Sequence, residues 1–255
     1  MIGHETQISR LFFYPIKSFR GLEVKSLHLT SQGPYLDRQW MLVDEKNQFV
    51  TQRTMPQLAR IGLSIEDGAR IELTRDGNFI TDFGIAETEE KLNVKIWKDE
   101  VDAFEVSTDV SDDLSKLLDK KVKLVRISEE SDRPGRFADE EPNLVISEES
   151  LKALEERAKT SLSMVRFRPN IVVRNCLPHA EDKWGQFKIG KIQFIGKEAC
   201  TRCRITQTHP LTGEVGEEPM KTLKTYRSTE KGVAFGFYYG NDQSGEIQVG
   251  QSLVF

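Results

Sequence analysis

Short apolar runs separated by turn residues cover most of the chain, and this pattern constrains the fold more than any other feature. The segment "QWMLVDEKNQFV" holds two apolar runs around a charged turn from Asp44 to Asn47, which predicts a hairpin. The segment "ISRLFFYPI" is rich in strand-forming residues and stops at Pro15 and Gly21. Further strand candidates are "ARIGLSIEDGARIELT", broken at Asp67-Gly68, then "LNVKIW", "VDAFEV" and "VKLVRI". The sequence therefore predicts a mixed, mainly β fold with antiparallel or mixed sheets.

Helical periodicity is confined to three stretches. They are "VSDDLSKLLDK", "SEESLKALEERAK" and "EEPMKTLKTYR". Ser147 is a suitable N-cap for the second stretch, because its hydroxyl can accept a hydrogen bond from a free backbone N–H of the first turn. In the third stretch, Met220, Leu223 and Tyr226 repeat at helical spacing. We therefore predict three helices among many strands.

The length of 255 residues suits one large domain or two small ones. Residues 128–142, "SEESDRPGRFADEEP", are polar, contain proline and glycine, and separate two well-patterned halves. We therefore predict an N-terminal β-rich domain over residues 1–125 and a second domain over residues 126–255.

The composition argues against several classes of partner. A net charge of −4, from 36 basic and 40 acidic side chains, does not suit a nucleic-acid protein held by a general basic field. No apolar run approaches the roughly 18 residues that a membrane span requires. Three cysteines cannot form a disulfide framework, and residues 1–5 lead into no apolar signal segment. We therefore expect a cytoplasmic protein without a membrane partner.

The stretch "KEACTRCRITQTHPLTGE" places Cys200 and Cys203 in C-x-x-C spacing. Together with Cys176 and His179, which form an earlier C-x-x-H, the pair resembles a structural zinc knuckle. A redox dithiol needs a helix N-terminus at its first cysteine, and the strand-like "KIQFIG" and "RITQT" supply none. Two other interpretations are buried cysteines that act as small apolar residues, and a single thiolate on a metal held mainly by a cofactor.

Basic, hydroxyl and amide residues recur in three short segments that suit an anionic cofactor. They are Lys17 and Ser18 in "YPIKSFRG", Arg38 in "LDRQW", and Arg166, Arg168 and Asn170 in "RFRPNIVV". The last three alternate, which predicts that they share one face of an extended segment. Arginine suits bidentate contact with phosphate, whereas an ordinary turn, ion pair or solvated charge is the alternative for each segment.

Six segments, in their order along the chain, resemble the two-part MOSC proteins, named for the molybdenum cofactor sulfurase C-terminal domain. They are "YPIKSFRG", "LDRQWMLVD", "FRPNIVV", "CTRCRITQTHPLTGE", "EPMKTLKTYR" and "FGFYYG". Within that family the chain is similar to the mitochondrial amidoxime-reducing component and its bacterial relatives, from about Leu11 to Phe255. The resemblance implies a MOSC β-barrel domain and a smaller N-terminal α/β domain, with residues 1–38 completing the barrel.

The same resemblance implies a molybdenum cofactor, Mo-molybdopterin, and a role for individual residues toward it. Cys203 would be the catalytic residue and the protein's thiolate ligand to the metal, whereas Cys200 would not bind it. The cofactor-binding residues implied are Lys17, Ser18, Arg38, Arg168, Asn170, Thr201, Arg202 and Tyr238.

The implied activity is reduction of N-hydroxylated compounds such as amidoximes, hydroxylamines and N-hydroxylated bases, with the substrate oxygen passing to the reduced metal. No ferredoxin domain follows the last strand, so the electrons would come from an external protein, either a flavin reductase, a ferredoxin or a cytochrome b5-like protein. One rival function is a carrier of the cofactor or of sulfur without turnover. The other is a zinc protein through Cys176, His179, Cys200 and Cys203.

Two stretches depart from the family pattern. His209 stands in "TQTHPLTG" where relatives often have an acidic residue, and it joins Tyr238 as a candidate general acid. Asp139 and Glu141 in "FADEEP" place carboxylates where hydroxyl or glycine residues are common. Carboxylates near an anionic cofactor are unfavourable unless they face substrate or cationic side chains.

Overall fold

Strands dominate the structure, a computed structural model that describes residues 5–131, 133 and 135–255. Residues 1–4 of the N-terminal segment, and residues 132 and 134 of the predicted boundary, lie outside this part. In chain order the strands are β1 (Gln7–Phe13), β2 (Leu22–Val24), β3 (Ser26–Thr30), β4 (Gly33–Pro34), β5 (Trp40–Asp44), β6 (Phe49–Val50), β7 (Ile61–Glu66), β8 (Arg70–Arg75), β9 (Asn78–Gly84), β10 (Lys91–Ile96), β11 (Asp99–Glu105), β12 (Val122–Ile127), β13 (Asn143–Ser147), β14 (Ile171–Arg174), β15 (Gln186–Ile189), β16 (Ile192–Thr201), β17 (Ser228–Thr229), β18 (Gly232–Asn241), β19 (Gly245–Gln248) and β20 (Leu253–Val254). The α-helices are α1 (Thr108–Leu118), α2 (Glu148–Ala158) and α3 (Met220–Tyr226). The predicted mixed, mainly β fold class is confirmed.

The largest sheet joins the two ends of the chain. Its order is β2-β1-β14-β13-β18-β16-β15-β20, with β17 paired to β18. Only β13 and β14 pair in parallel within it. A second connection is the small sheet β19-β3-β4, where β3 pairs with a strand near the C-terminus. Strands of residues 7–30 therefore pair with the C-terminal half, and the domain division near residue 125 stays a prediction.

The sheet β10-β11-β12-β5-β6 contains the predicted hairpin of β5 and β6, and β7-β8-β9 forms a separate three-stranded sheet. Both faces of β5 are buried, since alternate side chains of a strand point to opposite sides. Trp40 and Leu42 pack into one apolar cluster, and Met41 and Val43 into another. This double burial fixes β5, and with it the segment just before it that carries Arg38.

The three predicted helices are confirmed. The Ser147 hydroxyl caps α2 by accepting a hydrogen bond from the Ser150 backbone N–H at 3.0 Å. Leu114 of α1 and Leu223 of α3 are buried, as the helical spacing of the apolar residues requires. Among the described residues, no helix has both the length and the apolar composition needed to span a membrane.

Two segments predicted to be extended are short 3-10 helices, Met164–Phe167 and Arg204–Gln207. The first overturns the alternation proposed for residues 166–170. Arg166 Nη1 turns toward the second helix and donates to the carbonyl oxygens of Thr206 (3.3 Å) and Gln207 (3.1 Å). Contacts between two connections thus decide the local conformation, and residues 164–167 are not extended.

Candidate functional site

A cavity of about 820 Å³ lies where several connections between strands meet. All nine residues singled out in the sequence as the candidate site line it. They are Lys17, Ser18, Arg38, Arg168, Asn170, Thr201, Arg202, Cys203 and Tyr238. Since these residues are far apart in the chain, it is the tertiary structure that brings them together.

The lining of the cavity is strongly basic, although the chain as a whole carries a net charge of −4. The basic members are Lys17, Arg38, Arg53, Lys98, Arg133, Arg168, Arg202 and Lys231. The acidic members are Asp99, Asp139, Glu140 and Glu141. An excess of positive charge in a concave, partly desolvated site favours an anionic ligand.

Left-handed backbone conformations place three of the predicted side chains. The φ angles of Ser18, Arg38 and Arg168 are 70°, 49° and 55°. Residues other than glycine rarely adopt such angles, and they persist only where surrounding contacts enforce them. The Arg38 N–H donates to the Tyr14 carbonyl at 2.8 Å, which is one such contact.

Arg38 and Arg168 form an arginine pair over the ring of Tyr14. Their guanidinium carbons lie 4.4 and 4.2 Å from the ring centroid. Arg38 also pairs with the Asp37 carboxylate, whereas Arg168 Nη1 donates to the Phe19 carbonyl at 2.6 Å. Burial, with added repulsion from Arg38, lowers the pKa of Arg168 to about 10. Arg168 is therefore a desolvated cation without a carboxylate contact among the described residues.

Asn170 holds the arginine pair in place, because both polar atoms of its side-chain amide are hydrogen-bonded to the protein, one of them to Arg38. Its side chain is 1% exposed. The Oδ1 atom accepts from Arg38 Nη1 at 3.4 Å and from the Leu144 N–H at 3.3 Å. The Nδ2 atom donates to the Phe12 carbonyl at 3.3 Å. These bonds connect β1 and β13 to the guanidinium of Arg38.

A second group of charges, the Asp139 cluster, consists of Lys17, Arg53, Trp97 and Asp139. Lys17 Nζ binds the Asp139 carboxylate and donates to the Phe137 carbonyl at 2.7 Å. Arg53 Nη2 and Trp97 Nε1 each donate to Asp139 at 3.0 Å. Burial alone would raise the pKa of Asp139, but Lys17 and Arg53 outweigh it and hold this pKa below its usual range.

Asp139 therefore faces cationic side chains. A carboxylate near an anionic ligand is unfavourable unless such cations offset its charge, and Lys17 and Arg53 do so here. Burial lowers the pKa of Lys17 to about 8, against the attraction of Asp139. Arg53 and Trp97 are not among the residues predicted for the site. No local pattern marks them, because both reach the cavity through contacts with a residue that is distant in sequence.

The two cysteines of the C-x-x-C differ sharply. Cys200 is 2% exposed, and its sulfur accepts from Arg202 Nη1 at 2.5 Å. Burial raises the pKa of the Cys200 thiol. Cys203 is only partly buried and precedes the 3-10 helix, where its carbonyl accepts from Thr206 Oγ1 at 3.0 Å. The structure thus offers Cys203 as the accessible thiol and Cys200 as a buried neighbour.

The predicted four-residue zinc site does not form. Cys176 donates to Glu149 Oε2 at 3.6 Å, and the ring of His179 packs against that of Tyr226 at 5.8 Å. Neither Cys176 nor His179 lines the cavity that holds the cysteine pair. In the described part of the chain, no three His, Cys, Asp or Glu side chains are grouped so as to hold a metal ion.

His209 does not line the cavity either, which removes it as a candidate general acid. Its Nδ1 accepts from the backbone N–H groups of Leu211 (3.4 Å) and Thr212 (3.2 Å) and so stabilises a turn. Tyr238 does line the cavity, and burial raises the pKa of its hydroxyl well above the ordinary value. Tyr238 therefore keeps its proton at neutral pH.

Two family models match the chain. The MOSC N-terminal beta barrel domain matches residues 5–121, and the MOSC domain matches residues 132–254. The chain belongs to the family of MOSC proteins that carry both domains.

Curated relatives are similar over nearly the whole chain. Mitochondrial amidoxime-reducing component 1 of mouse is 31% identical over 96% of this chain and 81% of its own length. The human protein of the same name is 26% identical over 96% of this chain and 82% of its own length. Molybdenum cofactor sulfurase of rice is 29% identical over 98% of this chain but only 35% of the sulfurase.

Proposed function

We propose that this protein is a molybdenum-cofactor-dependent oxidoreductase that reduces N-hydroxylated compounds, including amidoximes, hydroxylamines and N-hydroxylated bases. The observation that carries the proposal is the convergence of the Cys203 thiol with eight basic side chains on one cavity of about 820 Å³. The names of the amidoxime-reducing relatives support it at the level of the family.

The residues present fit an anionic cofactor that carries a thiol-binding metal. Two buried donors that line the cavity, Arg53 Nη1 and Arg202 Nε, have no hydrogen-bond partner within the described residues. Each such donor costs about 1–3 kcal/mol when it is left unsatisfied. A bound group with phosphate and other acceptor oxygens would satisfy donors of this kind, and a thiolate suits a soft or high-valent metal.

The proposed roles follow from the surroundings of each side chain. Cys203 is the metal ligand and the catalytic residue, since it is the accessible thiol. The arginine pair, with Lys17 and Ser18, binds the phosphate, and Asn170 keeps Arg38 in place. Thr201, Arg202 and Tyr238, which line the same cavity as Cys203, would contact the pterin. When bound, the cofactor supplies the two-electron chemistry that breaks the N–O bond of the substrate.

The remaining parts of the proposal concern protons, electrons and place. Tyr238 offers its hydroxyl proton as a hydrogen-bond donor in the cavity. Electrons come from a separate donor protein of the flavin reductase, ferredoxin or cytochrome b5 type. The cytoplasmic location expected from the cysteine content stays a prediction.

The test begins with protein purified from a host that makes the cofactor. We expect molybdenum and pterin in equal amounts by elemental and pterin analysis. With a chemically reduced viologen as donor, the loaded protein should convert benzamidoxime to benzamidine. Zinc in place of molybdenum, or loaded protein that leaves benzamidoxime unchanged, would contradict the proposal.

A carrier of the cofactor or of its sulfur is the second candidate, favoured by the similarity to the rice molybdenum cofactor sulfurase. A carrier should pass its bound cofactor to a cofactor-free molybdenum enzyme, with no turnover of benzamidoxime by itself. Transfer without turnover would therefore replace the reductase by the carrier.

A further inference from the structure

Arg53 is one of the cavity-lining cations that the expected roles do not account for. It lies between β6 and β7, and 21% of its side chain is exposed. One end of its guanidinium, Nη2, donates to Asp139 at 3.0 Å. The other end, Nη1, is buried and has no partner within the described residues. Arg53 therefore lines the cavity with a partly exposed side chain, one of whose donors is not satisfied by the described residues.

Several other basic groups in the cavity already direct terminal nitrogens to protein acceptors. Lys17 Nζ donates to a carbonyl and to a carboxylate, and Arg168 Nη1 donates to a carbonyl. Arg202 uses one terminal nitrogen on Cys200 and the other on the Phe167 carbonyl. Arg53 interacts with the Cys203 thiol as well as with Asp139, and its Nη1 has no nitrogen or oxygen acceptor within the described residues. It is thus close to the thiol that would hold the metal.

Trp97 holds Arg53 in this position. The Arg53 guanidinium carbon lies 4.6 Å from the centre of the Trp97 ring system, which also packs against Phe49 at 5.0 Å. Trp97 is the first of two residues that connect β10 and β11, with φ of 57°, and it is 50% exposed. A bulky residue is strained at a positive φ, so the contacts with Arg53 and Asp139 have to maintain this conformation.

We propose that Arg53 is a substrate-binding residue, whose guanidinium donates a hydrogen bond to the oxygen of the substrate's N–O group. Trp97 is a positioning residue that acts through Arg53. This inference rests on the proposed function and adds to it a basis for selectivity. A neutral N-hydroxylated substrate gains the bond to Arg53, whereas its oxygen-free, cationic amidine product loses it and is repelled by the same guanidinium.

The test compares Arg53→Met and Arg53→Lys with a control variant, Arg60→Met. Arg60 is near Arg53 in sequence, but it pairs with Asp76 and does not line the cavity. Molybdenum and pterin content should stay at the wild-type level in all three. In Arg53→Met, KM for benzamidoxime should rise about tenfold or more, as expected for loss of a charge-assisted hydrogen bond. Arg53→Lys should recover part of this loss, and Arg60→Met should match the wild type.

Calorimetry on loaded protein gives a readout that does not depend on turnover. Arg53→Met should weaken benzamidoxime binding and leave benzamidine binding equal or tighter. Trp97→Ala should show the same selective loss in smaller degree, and Trp97→Phe should restore most of it because the stacking ring is retained.

Each contrary outcome has a distinct meaning. Loss of molybdenum and pterin from Arg53→Met would make Arg53 a cofactor ligand and overturn the inference. So would an equal loss of affinity for benzamidoxime and benzamidine, or unchanged affinity for both. If wild-type protein binds benzamidoxime selectively through Arg53 but does not reduce it, the reductase proposal fails while Arg53 keeps its binding role.

Discussion

The arginine pair together with Asp37 has two cations and one carboxylate, and so does the Asp139 cluster, yet the charges are arranged differently. In the Asp139 cluster both Lys17 and Arg53 contact the same carboxylate, so the charges are shared. In the arginine pair only Arg38 contacts a carboxylate. Arg168 has a carbonyl and an aromatic face instead, and it lies near a second cation.

This difference indicates which group needs a ligand. A shared carboxylate contacts both cations of the Asp139 cluster and links loops distant in sequence, although Arg53 Nη1 has no partner within the described residues. Two desolvated guanidinium groups beside each other repel, and an incoming phosphate would relieve that repulsion at both. The arginine pair should therefore determine cofactor retention, with Lys17 contributing charge, whereas Arg53 should determine how the substrate meets the cofactor.

The largest expected effect comes from Cys203, the thiol that lines the same cavity as both groups. Cys203→Ala should lower kcat/KM to about a thousandth of wild type or less, because it removes the thiolate that would hold the metal. Cys200→Ala is the matched control, since Cys200 is buried and bound to Arg202. It should keep more than about half of the activity. Steady-state reduction of benzamidoxime at equal cofactor loading measures both.

If Cys200→Ala were the inactive variant and Cys203→Ala the active one, the metal ligand would be Cys200 and not Cys203. The comparison of the two charge groups would then have to be drawn again around the buried thiol. Equal loss in both variants would point to a shared structural role.

The sequence predicted the hairpins, the three helices and the candidate site residues that line one cavity, because these depend on local patterns or on a family resemblance. It did not predict the contacts that distinguish the two charge groups. Lys17 and Arg53 meet Asp139 across 122 and 86 residues of sequence. The alternation of Arg166 and Arg168 failed for the same reason, since bonds to residues 206 and 207 override the strand-like spacing.

Cofactor retention tests the arginine pair. Arg168→Ala should lower the affinity for the cofactor about tenfold to a hundredfold, the effect of losing a charge-assisted contact in a buried site. Arg10→Ala is the control, because Arg10 lies exposed on the surface, where it pairs with Glu23. Molybdenum and pterin per chain after dialysis provide the measurement, with thermal unfolding to confirm that the fold is intact.

Unchanged molybdenum and pterin in Arg168→Ala would remove the arginine pair as the phosphate site. A loss in Arg53→Met of similar size would merge the two groups into one cofactor site. Either result would end the division of roles between them.

The smallest expected effect is a pH dependence that arises at Lys17, whose pKa burial lowers from the ordinary 10.5 to about 8. About nine-tenths of Lys17 is charged at pH 7 and about a tenth at pH 9. Sulfate, which does not titrate in this range, should therefore bind cofactor-free protein roughly tenfold more weakly at pH 9 than at pH 7. Calorimetry with Lys17→Met should give a flatter profile.

Stability should change in the opposite direction. Between pH 8 and pH 10.5 the unfolded chain keeps the Lys17 proton that the folded protein has lost. Because the unfolded state binds more protons there, this group makes the folded state more stable as the pH rises through that window. The free energy of unfolding of wild type minus that of Lys17→Met should therefore increase while sulfate affinity falls. A stability difference that falls as the pH rises would mean that pairing with Asp139 raises the pKa of Lys17 above that of the unfolded chain. Sulfate affinity that does not change between pH 7 and pH 9 would mean that Lys17 contributes no charge to anion binding.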